Sequence, residues 1–210
     1  MTPEDFIRAN AELISPPLVP ELHLYLATEV VPLWRKTEEE LNEMGVPPPY
    51  WAFAWAGGQA LARFVLDNPS LVAGKRVLDF GAGSGIVALA AARAGASHVL
   101  AADIDNFSIA AIAANAAANG LTVATTADDI IGSTEQFGII LVGDMCYERP
   151  LAERLMAWLK TSNAEILLGD PGRSYFPKEG LTRLALYSVE TTRELEDRDI
   201  RETGVWRLER

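Results

Sequence analysis

Glycine and carboxylate residues that could hold a small ligand lie close together in the run DFGAGSG at residues 79–85. Gly81, Gly83 and Gly85 follow an apolar run, and glycine permits sharp turns and close approach of the backbone to a ligand. Such turns form the ligand crevice at the carboxyl ends of strands in open α/β sheets. Asp79 precedes the first glycine by two positions, where a carboxylate would repel a pyrophosphate but suit a ligand with an ammonium group.

The residue types alone leave two other interpretations of this glycine run open. A dinucleotide-binding fingerprint requires the spacing G-x-G-x-x-G, whereas here Gly85 comes one residue early and Ile86 occupies the sixth position. The run could also be a glycine-rich turn that holds no ligand. Because of the glycine spacing, we disfavour a reductase that uses a nicotinamide cofactor.

Further carboxylates follow the next two predicted strands. The second strand leads into residues 101–105, and Asp103 stands at a distance from the glycine turn at which an acid can accept both hydroxyls of a ribose. Asp105 is predicted to cap the helix that follows. Asp128 and Asp129 come after the third strand, where they form either a ligand-binding pair or a solvated turn.

The run GDMCY at residues 143–147 follows the fourth strand, so it lies where the reactive group of a substrate would be placed. A carboxylate such as Asp144 can orient an ammonium group and help to move its proton to water, and Tyr147 could line the path. The competing interpretation is that Asp144 caps the helix that begins near Pro150. Cys146 is interpreted as a small packing residue, since no histidine lies near it in the sequence.

Two flanking runs add candidate residues. Residues 168–173 read LGDPGR, in which Asp170 and Arg173 either complete the site or grip a substrate, unless the run is simply a tight turn. Residues 49–61 read PYWAFAWAGGQAL, in which Trp55 is predicted to form an aromatic wall that attracts a cation.

A parallel sheet would bring these candidate residues together, because the carboxyl ends of its strands meet at one edge. The chain from residue 75 onward has the sequence pattern of such a sheet. Short apolar runs alternate with helical patterns, which predicts an α/β fold with a seven-stranded, mostly parallel sheet flanked by helices. The predicted strands are 76–80, 98–102, 121–126, 138–142, 165–168, 186–192 and 205–208. The predicted helices are 59–66, 84–94, 106–119 and 151–160, the third of them ended by Gly120.

Residues 1–49 are predicted to form an N-terminal helical segment that packs on the core of the main domain, residues 50–210. The run from Thr2 to Asp5 is a typical helix start, with a capping threonine, a proline in the first turn and two acids. The proline pair 16–17 is predicted to end this helix. The remaining predictions are a strand or a short helix at residues 22–26 and a charged, exposed helix at residues 34–44.

The composition disfavours several classes of protein. The 210 residues suffice for about one domain, and 29 acidic against 18 basic side chains give a net charge of −11, which is unfavourable for binding nucleic acid or anionic membranes. One cysteine and two histidines make a disulfide framework or a metal site unexpected. No apolar run approaches the about 20 residues that span a bilayer, and the acidic start is unlike a secretory or mitochondrial leader. We therefore expect a soluble, cytoplasmic protein without a nucleic-acid or membrane partner, and we favour a monomer.

The run at residues 77–85 resembles motif I of the class I, seven-stranded methyltransferases, which have a Rossmann-like fold and bind S-adenosyl-L-methionine. This resemblance implies that the motif I acid and glycines hold the amino-acid part of the cofactor. The corresponding residues here are Asp79, Gly81, Gly83 and Gly85.

The same resemblance assigns roles to the other carboxylates. It implies that Asp103 binds the ribose hydroxyls and that one residue of the acidic pair accepts the adenine amino group. Of that pair we favour Asp129 slightly over Asp128. Trp55 would then face the sulfonium of the cofactor.

Three runs narrow the resemblance to one family. The segments at 49–61, 143–147 and 168–173 look like those of the lysine methyltransferases that act on the electron transfer flavoprotein beta subunit, and the similarity extends from about residue 15 to the C-terminus. Motif I is common to very many methyltransferases, whereas the combined set of three runs is far more specific.

Membership of this family implies a protein-lysine N-methyltransferase whose partner is the electron transfer flavoprotein beta subunit. Asp144 would orient the lysine ammonium, Tyr147 would line the lysine channel, and Asp170 and Arg173 would bind the substrate. The alternatives are a methyltransferase of the same fold that acts on a small-molecule amine or a ribosomal protein, and a non-catalytic nucleotide-binding protein.

Overall fold

The computed structural model describes residues 2–27, 48–191 and 199–209, and over these ranges the chain forms an α/β structure. The helices are α1 (Pro3–Asn10), α2 (Ala56–Asp67), α3 (Ile86–Arg93), α4 (Asn106–Ala118) and α5 (Arg149–Leu159). The strands are β1 (Glu12–Ile14), β2 (Leu24–Leu26), β3 (Arg76–Phe80), β4 (His98–Ala102), β5 (Ala124–Thr126), β6 (Ile139–Gly143), β7 (Glu165–Asp170), β8 (Leu181–Glu190) and β9 (Ile200–Leu208). Short 3-10 turns lie at Tyr50–Ala52 and Pro69–Leu71.

Seven of these strands form one sheet in the order β5-β4-β3-β6-β7-β9-β8. The five strands from β5 to β7 run parallel, and β9 pairs antiparallel with both β7 and β8. The order reverses between β4 and β6 around β3, so the carboxyl ends of these strands border a crevice where open α/β sheets bind ligands.

The core lies on both faces of the sheet because the central strands are apolar on both sides. One cluster joins the sheet to α2, α3 and α4 through residues such as Leu61, Leu89 and Ile112. A second cluster covers the opposite face with α5, which contributes Leu155 and Trp158. The predicted α/β fold with a seven-stranded, mostly parallel sheet is confirmed.

The N-terminal residues begin with a helix, as predicted. Thr2 caps α1 in a capping box: its hydroxyl accepts from the Asp5 N–H, and the Asp5 carboxylate accepts from the Thr2 N–H. The predicted end of this helix at the proline pair 16–17 is wrong, because α1 ends at Asn10. Leu13 and Ile14, interpreted as part of the helical pattern, instead lie in β1, which pairs antiparallel with β2.

The other predicted elements agree with the structure to within a few residues at most ends. The largest shifts are in the last two strands, which begin at Leu181 and Ile200, each five residues before the predicted start. The ambiguous run at residues 22–26 contains strand β2. The predicted helix at residues 34–44 lies outside the described residues. Among the described residues, no helix is long and apolar enough to cross a membrane.

Candidate active site

A cavity of about 710 Å³ opens at the carboxyl ends of β3, β4 and β6. This volume is within the range of cofactor and small-molecule sites. Eight of the eleven candidate residues line it, and these are Trp55, Gly81, Gly83, Asp103, Asp129, Asp144, Tyr147 and Arg173. The three that do not line it are Asp79, Gly85 and Asp170.

The glycine turn after β3 needs glycine at all three positions. Gly81, Gly83 and Gly85 have φ angles of +67°, +51° and +79°, in the left-handed region that disfavours other residues. A Cβ atom at Gly81 would collide with the thioether of Met145. At Gly83 the nearest atom to such a Cβ is the carbonyl oxygen of Tyr50, at 3.8 Å, so a side chain there would occupy the cavity.

Asp79 lies behind this turn, with only 1% of its surface exposed. Its Oδ2 accepts a hydrogen bond of 2.8 Å from the Ala88 N–H, in the first turn of α3. The residue that precedes α3, Gly85, has no side chain with which to cap the helix. Asp79 therefore serves as the N-terminal cap of α3 from the adjacent strand. Burial raises the pKa of the Asp79 carboxyl to about 7, against the lowering effect of this hydrogen bond.

Asp103 faces the cavity from the end of β4, and both of its carboxylate oxygens contact backbone. Oδ2 accepts from the Gly83 N–H at 2.8 Å, and Oδ1 accepts from the Asp105 N–H at 3.0 Å. Burial raises the pKa of Asp103, while these two hydrogen bonds oppose the shift. Asp105 accepts from the Phe107 N–H at 2.9 Å and is the N-cap of α4, which confirms that prediction.

Asp128 and Asp129 both line the far end of the cavity. Asp129 accepts from the Ile131 N–H at 3.1 Å and forms an ion pair of 2.7 Å with Arg154, whose hydrogen bond lowers the pKa of Asp129. Asp128 instead accepts from the Thr126 hydroxyl at 2.8 Å. Asp129 is therefore paired with a positive charge, whereas Asp128 is bonded to a neutral hydroxyl.

Asp144 has an unusual backbone conformation and a dense set of contacts. It has a φ of +58°, the one positive value of a non-glycine residue in the described chain, and its side chain is buried. Its Oδ2 accepts a hydrogen bond of 2.9 Å from the Gly58 N–H, in the first turn of α2. Its Oδ1 accepts from Nε and Nη2 of Arg173 at 3.0 and 2.6 Å. The competing interpretation of Asp144 as the cap of the next helix is wrong, because the N-cap position of α5 is Glu148.

Asp144 can reach the end of α2 because four glycines let the helix touch the sheet. A Cβ atom at Gly57 would lie 2.5 Å from Oδ2 of Asp144 and would also collide with the carbonyl oxygen of Gly169. A Cβ atom at Gly143 would lie 3.1 Å from the Cα atom of Gly58. The helix therefore contacts β6 and β7 backbone to backbone, and a negative charge sits at its positively polarised end.

Arg173 joins the carboxylate of Asp144 to the aromatic side of the cavity. Its guanidinium carbon lies 5.6 Å from the ring centroid of Trp55, within the range of a cation–π contact. The indole of Trp55 donates a 2.9 Å hydrogen bond to the carbonyl oxygen of Tyr50, which fixes the orientation of the ring.

Asp170 lies beneath the site and is 3% exposed. Its Oδ1 accepts from the N–H groups of Gly172 and Arg173, both at 2.7 Å, so it closes the turn that carries Arg173. Burial, together with the neighbouring charge of Asp144, raises the pKa of Asp170 to about 7. Burial likewise raises the pKa of the Cys146 thiol to about 12, which is unfavourable for a nucleophile and agrees with a packing role.

Tyr50, Ile104 and Arg154 are among the cavity residues that were not assigned from the sequence. Ile104 is 75% exposed although it is apolar, and its position between two acids of a strand-end loop was a usable signal. Arg154 had no such signal, because its partner Asp129 is 25 residues away. Tyr50 lies in the run at residues 49–61, from which only Trp55 was predicted to be a site residue.

The residues present fit S-adenosylmethionine. The lack of a side chain at Gly83 leaves space for a ligand in the cavity, and Asp103 presents a carboxylate beside it. The carboxylates at the far end could accept a hydrogen bond from the amino group of an adenine, and the aromatic side of the cavity suits a positively charged sulfonium. Among the described residues, no group of histidine, cysteine and acidic side chains could hold a metal ion.

The sheet order, the glycine turn and the acids at the strand ends define a class I methyltransferase. Solved structures agree in fold: ribosomal protein L11 methylase from Lactobacillus delbrueckii subsp. bulgaricus has a TM-score of 0.54 at 22% identity, over 75% of this chain and 81% of that one. Magnesium protoporphyrin IX methyltransferase from Synechocystis, with bound S-adenosylmethionine, has a TM-score of 0.55 at 16% identity, over 73% and 78%. The family model of ribosomal protein L11 methyltransferase (PrmA) matches residues 59–143.

Sequence relatives identify the family. The electron transfer flavoprotein beta subunit lysine methyltransferase of Xenopus laevis is 41% identical over 99% of this chain and 87% of its own length. The human protein of the same name is 38% identical over 96% of this chain and 80% of its own length. The chain belongs to the family of electron transfer flavoprotein beta subunit lysine methyltransferases, and it is an enzyme that uses S-adenosylmethionine.

Proposed function

We propose that this protein transfers methyl groups from S-adenosylmethionine to lysine side chains of the electron transfer flavoprotein beta subunit. The observation that carries the proposal is identity of about 40% to relatives of that name over nearly the whole chain. The similarity includes the segments before motif I and after β7, which shape the acceptor side of the cavity.

In this proposal the cofactor lies along the strand ends from β6 to β5. The glycine turn of Gly81 and Gly83 holds its amino-acid part, Asp103 its ribose hydroxyls, and Asp129 or Asp128 its adenine amino group. Trp55 faces the positively charged end of the cofactor. Bound S-adenosylmethionine supplies a methyl group that is already activated by a sulfonium.

Asp79 and Gly85 do not line the cavity, but both lie at the start of α3. The carboxylate of Asp79 caps α3, and Gly85 is the residue from which that helix begins. Together they hold the turn that contains Gly81 and Gly83. We propose that they act on cofactor binding through the shape of this turn.

The acceptor lysine must be neutral to attack a methyl group. A free lysine has a pKa of about 10.4 and is protonated at neutral pH. Burial beside a cation lowers that pKa, and a carboxylate can orient the ammonium and help its proton reach water. We propose that Asp144 has this role and that Tyr147 walls the channel, with most of the acceleration coming from proximity and orientation.

Asp170 and Arg173 support this arrangement on the substrate side. Asp170 closes the turn that places Arg173, and Arg173 holds the carboxylate of Asp144 with two hydrogen bonds. We propose that Arg173 also contacts the acceptor protein, since it lines the cavity beside Tyr147.

We further propose that residues 1–49 pack on the methyltransferase domain, residues 50–210. Ile7 of α1 clusters with Trp51 and Ala111. The backbone N–H of Tyr25 donates to the side chain of Asn115 on α4 at 2.7 Å. These contacts support a close association of the two parts.

The net charge of −11 supports a partner with an exposed basic patch, and it disfavours nucleic acid and anionic membranes as partners. A monomer in the cytoplasm is the setting we propose. The match of residues 59–143 to the ribosomal protein L11 methyltransferase model supports ribosomal protein L11 as a second candidate acceptor.

The test is a transfer assay with isotopically labelled S-adenosylmethionine and intact-mass analysis of recombinant electron transfer flavoprotein and of ribosomal protein L11. Asp144→Asn keeps an acceptor for the Gly58 N–H but removes the charge, and Asp67→Asn is the matched control at a half-exposed carboxylate on α2. We expect a gain of one methylene unit of mass per methyl on the flavoprotein, lost only with Asp144→Asn. Methyl transfer to L11 and not to the flavoprotein would make L11 the acceptor protein. Cofactor binding without methyl transfer to any protein would favour a non-catalytic role.

A further inference from the structure

Three aromatic rings stand side by side at the acceptor end of the cavity. The ring of Tyr50 lies 6.1 Å from that of Trp55 and 6.0 Å from that of Tyr147, measured between centroids. Tyr50 and Tyr147 are each 44% exposed, which is unusual for large aromatic side chains at the edge of a core. All three line the cavity that also contains Asp144.

A cation already lies on one face of this aromatic group. The guanidinium of Arg173 stacks over Trp55 at 5.6 Å and is held there by both of its hydrogen bonds to Asp144. The structure thus contains, within the chain itself, the combination of aromatic face, cation and carboxylate that binds ammonium groups in other settings.

The charges around the rings also favour a cation. Burial raises the pKa of the Tyr147 hydroxyl, and the nearby negative charges of Glu148 and Asp103 raise it further. The two arginines in the cavity lining are each bonded to a carboxylate, Arg154 to Asp129 and Arg173 to Asp144.

We infer that Tyr50, together with Trp55 and Tyr147, forms a binding site for the alkylammonium head of the acceptor lysine. This inference rests on the proposed function and adds Tyr50 as an acceptor-binding residue. The face of the Tyr50 ring provides the attraction, so its hydroxyl is dispensable and phenylalanine can replace it. Methylated lysine, which has fewer N–H donors, keeps the cation–π part of this attraction.

The inference predicts a specific pattern for substitutions of Tyr50. Tyr50→Ala should raise the KM for the acceptor by about tenfold, the size of a partly desolvated cation–π contact, and Tyr50→Phe should restore it. The backbone carbonyl of Tyr50 that binds the Trp55 indole remains in both variants, so the ring of Trp55 keeps its anchor. Tyr175→Ala is the control, because Tyr175 is 41% exposed but does not line the cavity.

The same variants distinguish the acceptor ammonium from the sulfonium of the cofactor. Dissociation constants are measured for S-adenosylmethionine and for its product, which lacks the sulfonium charge. We expect Tyr50→Ala to change neither constant. Selective weakening of S-adenosylmethionine would assign Tyr50 to the sulfonium and overturn the inference, as would an unchanged KM for the acceptor.

A binding measurement keeps the inference testable even if the proposed acceptor is wrong. The protein saturated with S-adenosylhomocysteine is titrated with tetramethylammonium chloride, and binding is followed by tryptophan fluorescence against a sodium chloride control. We expect saturable binding to the wild type and to Tyr50→Phe, but at least fivefold weaker binding to Tyr50→Ala. Equal affinity of all three proteins for tetramethylammonium would overturn the proposed site. Absence of methyl transfer by the wild type to the flavoprotein would overturn only the proposed function.

Discussion

The contact between α2 and the sheet leads to a prediction in which two adjacent glycines respond differently to the same substitution. Gly57 and Gly58 both lie in the first turn of α2, and alanine is the better helix former by up to about 1 kcal/mol at either position. A Cβ atom at Gly58 would meet only a methyl carbon of Ile86, at 3.2 Å, whereas one at Gly57 would meet backbone and the Asp144 carboxylate. Gly58→Ala is therefore a matched control for Gly57→Ala.

The expected cost of Gly57→Ala follows from these contacts. Overpacking against a backbone that cannot move away costs about 1–3 kcal/mol, and a strained or broken hydrogen bond from Gly58 to a charged group costs about 1.5–3 kcal/mol. After subtraction of the gain in helix propensity, we expect a net loss of about 2–4 kcal/mol in the free energy of unfolding. For a chain of this size, that loss lowers the midpoint of thermal unfolding by roughly 5–15 °C.

The assay is thermal and urea unfolding followed by circular dichroism, combined with cofactor titration and methyl transfer. Gly58→Ala should stay within about 1 kcal/mol of the wild type, because the helix propensity offsets a contact that Ile86 can relieve. Gly57→Ala should also lose at least tenfold in transfer rate, since it displaces Asp144, while the glycine turn after β3 still binds the cofactor. Equal unfolding midpoints and equal rates for the two variants would refute the reasoning.

Three further predictions concern Asp79, Asp103 and Cys146. Burial raises the pKa of Asp79 in the folded chain to about 7, from 3.8 for an exposed aspartate, so its contribution to stability is present below about pH 4 and is lost as the pH rises to 7. Asp79→Asn should flatten that part of the pH dependence of urea unfolding, and an unchanged slope would contradict the prediction. Asp103→Asn keeps an acceptor for the Gly83 N–H but loses the one for the Asp105 N–H and the charge-assisted bonds to the ribose, so the Kd for S-adenosylmethionine should rise by about 10–100-fold and the unfolding midpoint should fall. The buried thiol of Cys146, with its pKa raised to about 12, should not react with a maleimide at pH 8 until urea unfolds the chain, and mass spectrometry detects the adduct.

The elements of the site that the sequence reveals are those with local signals. The glycine turn at residues 79–85 is a contiguous pattern, and Asp105 caps a helix only two residues away through Phe107. Asp103 is placed by the end of a strand whose apolar run is easy to recognise. Each of these depends on spacing within one loop, so one sequence is sufficient to predict it.

The elements that the sequence did not reveal depend on contacts between distant residues. The Gly58 N–H binds a carboxylate 86 positions away, and Arg173 reaches the same carboxylate from 29 positions away. One signal was present: α2 begins after Trp55, which has no side-chain cap of its own. A helix without a local cap implies a partner elsewhere in the fold, but the identity of that partner requires the folded structure.

The N-terminal hairpin was missed for a different reason. Leu13 and Ile14 form a short apolar pair that fits a helical pattern as well as a strand, and periodicity cannot separate the two over such a length. The pairing of β1 with β2 decides the matter, and it joins residues 10 to 14 positions apart, from Ile14 with Leu24 to Glu12 with Leu26.

The capping of α2 by Asp144 has a consequence for the order in which the enzyme becomes functional on the ribosome. The glycine turn, Asp103 and the first two parallel strands all lie between residues 76 and 105, so they are synthesised well before Asp144 and Arg173. The N-terminal end of α2 gains its carboxylate partner only after Asp144 has been synthesised. Asp144 in turn completes its contacts only after Arg173 has emerged. A nascent chain can therefore assemble much of the cofactor half while it still lacks a finished acceptor site, and methyl transfer has to be one of the last properties that the growing protein acquires.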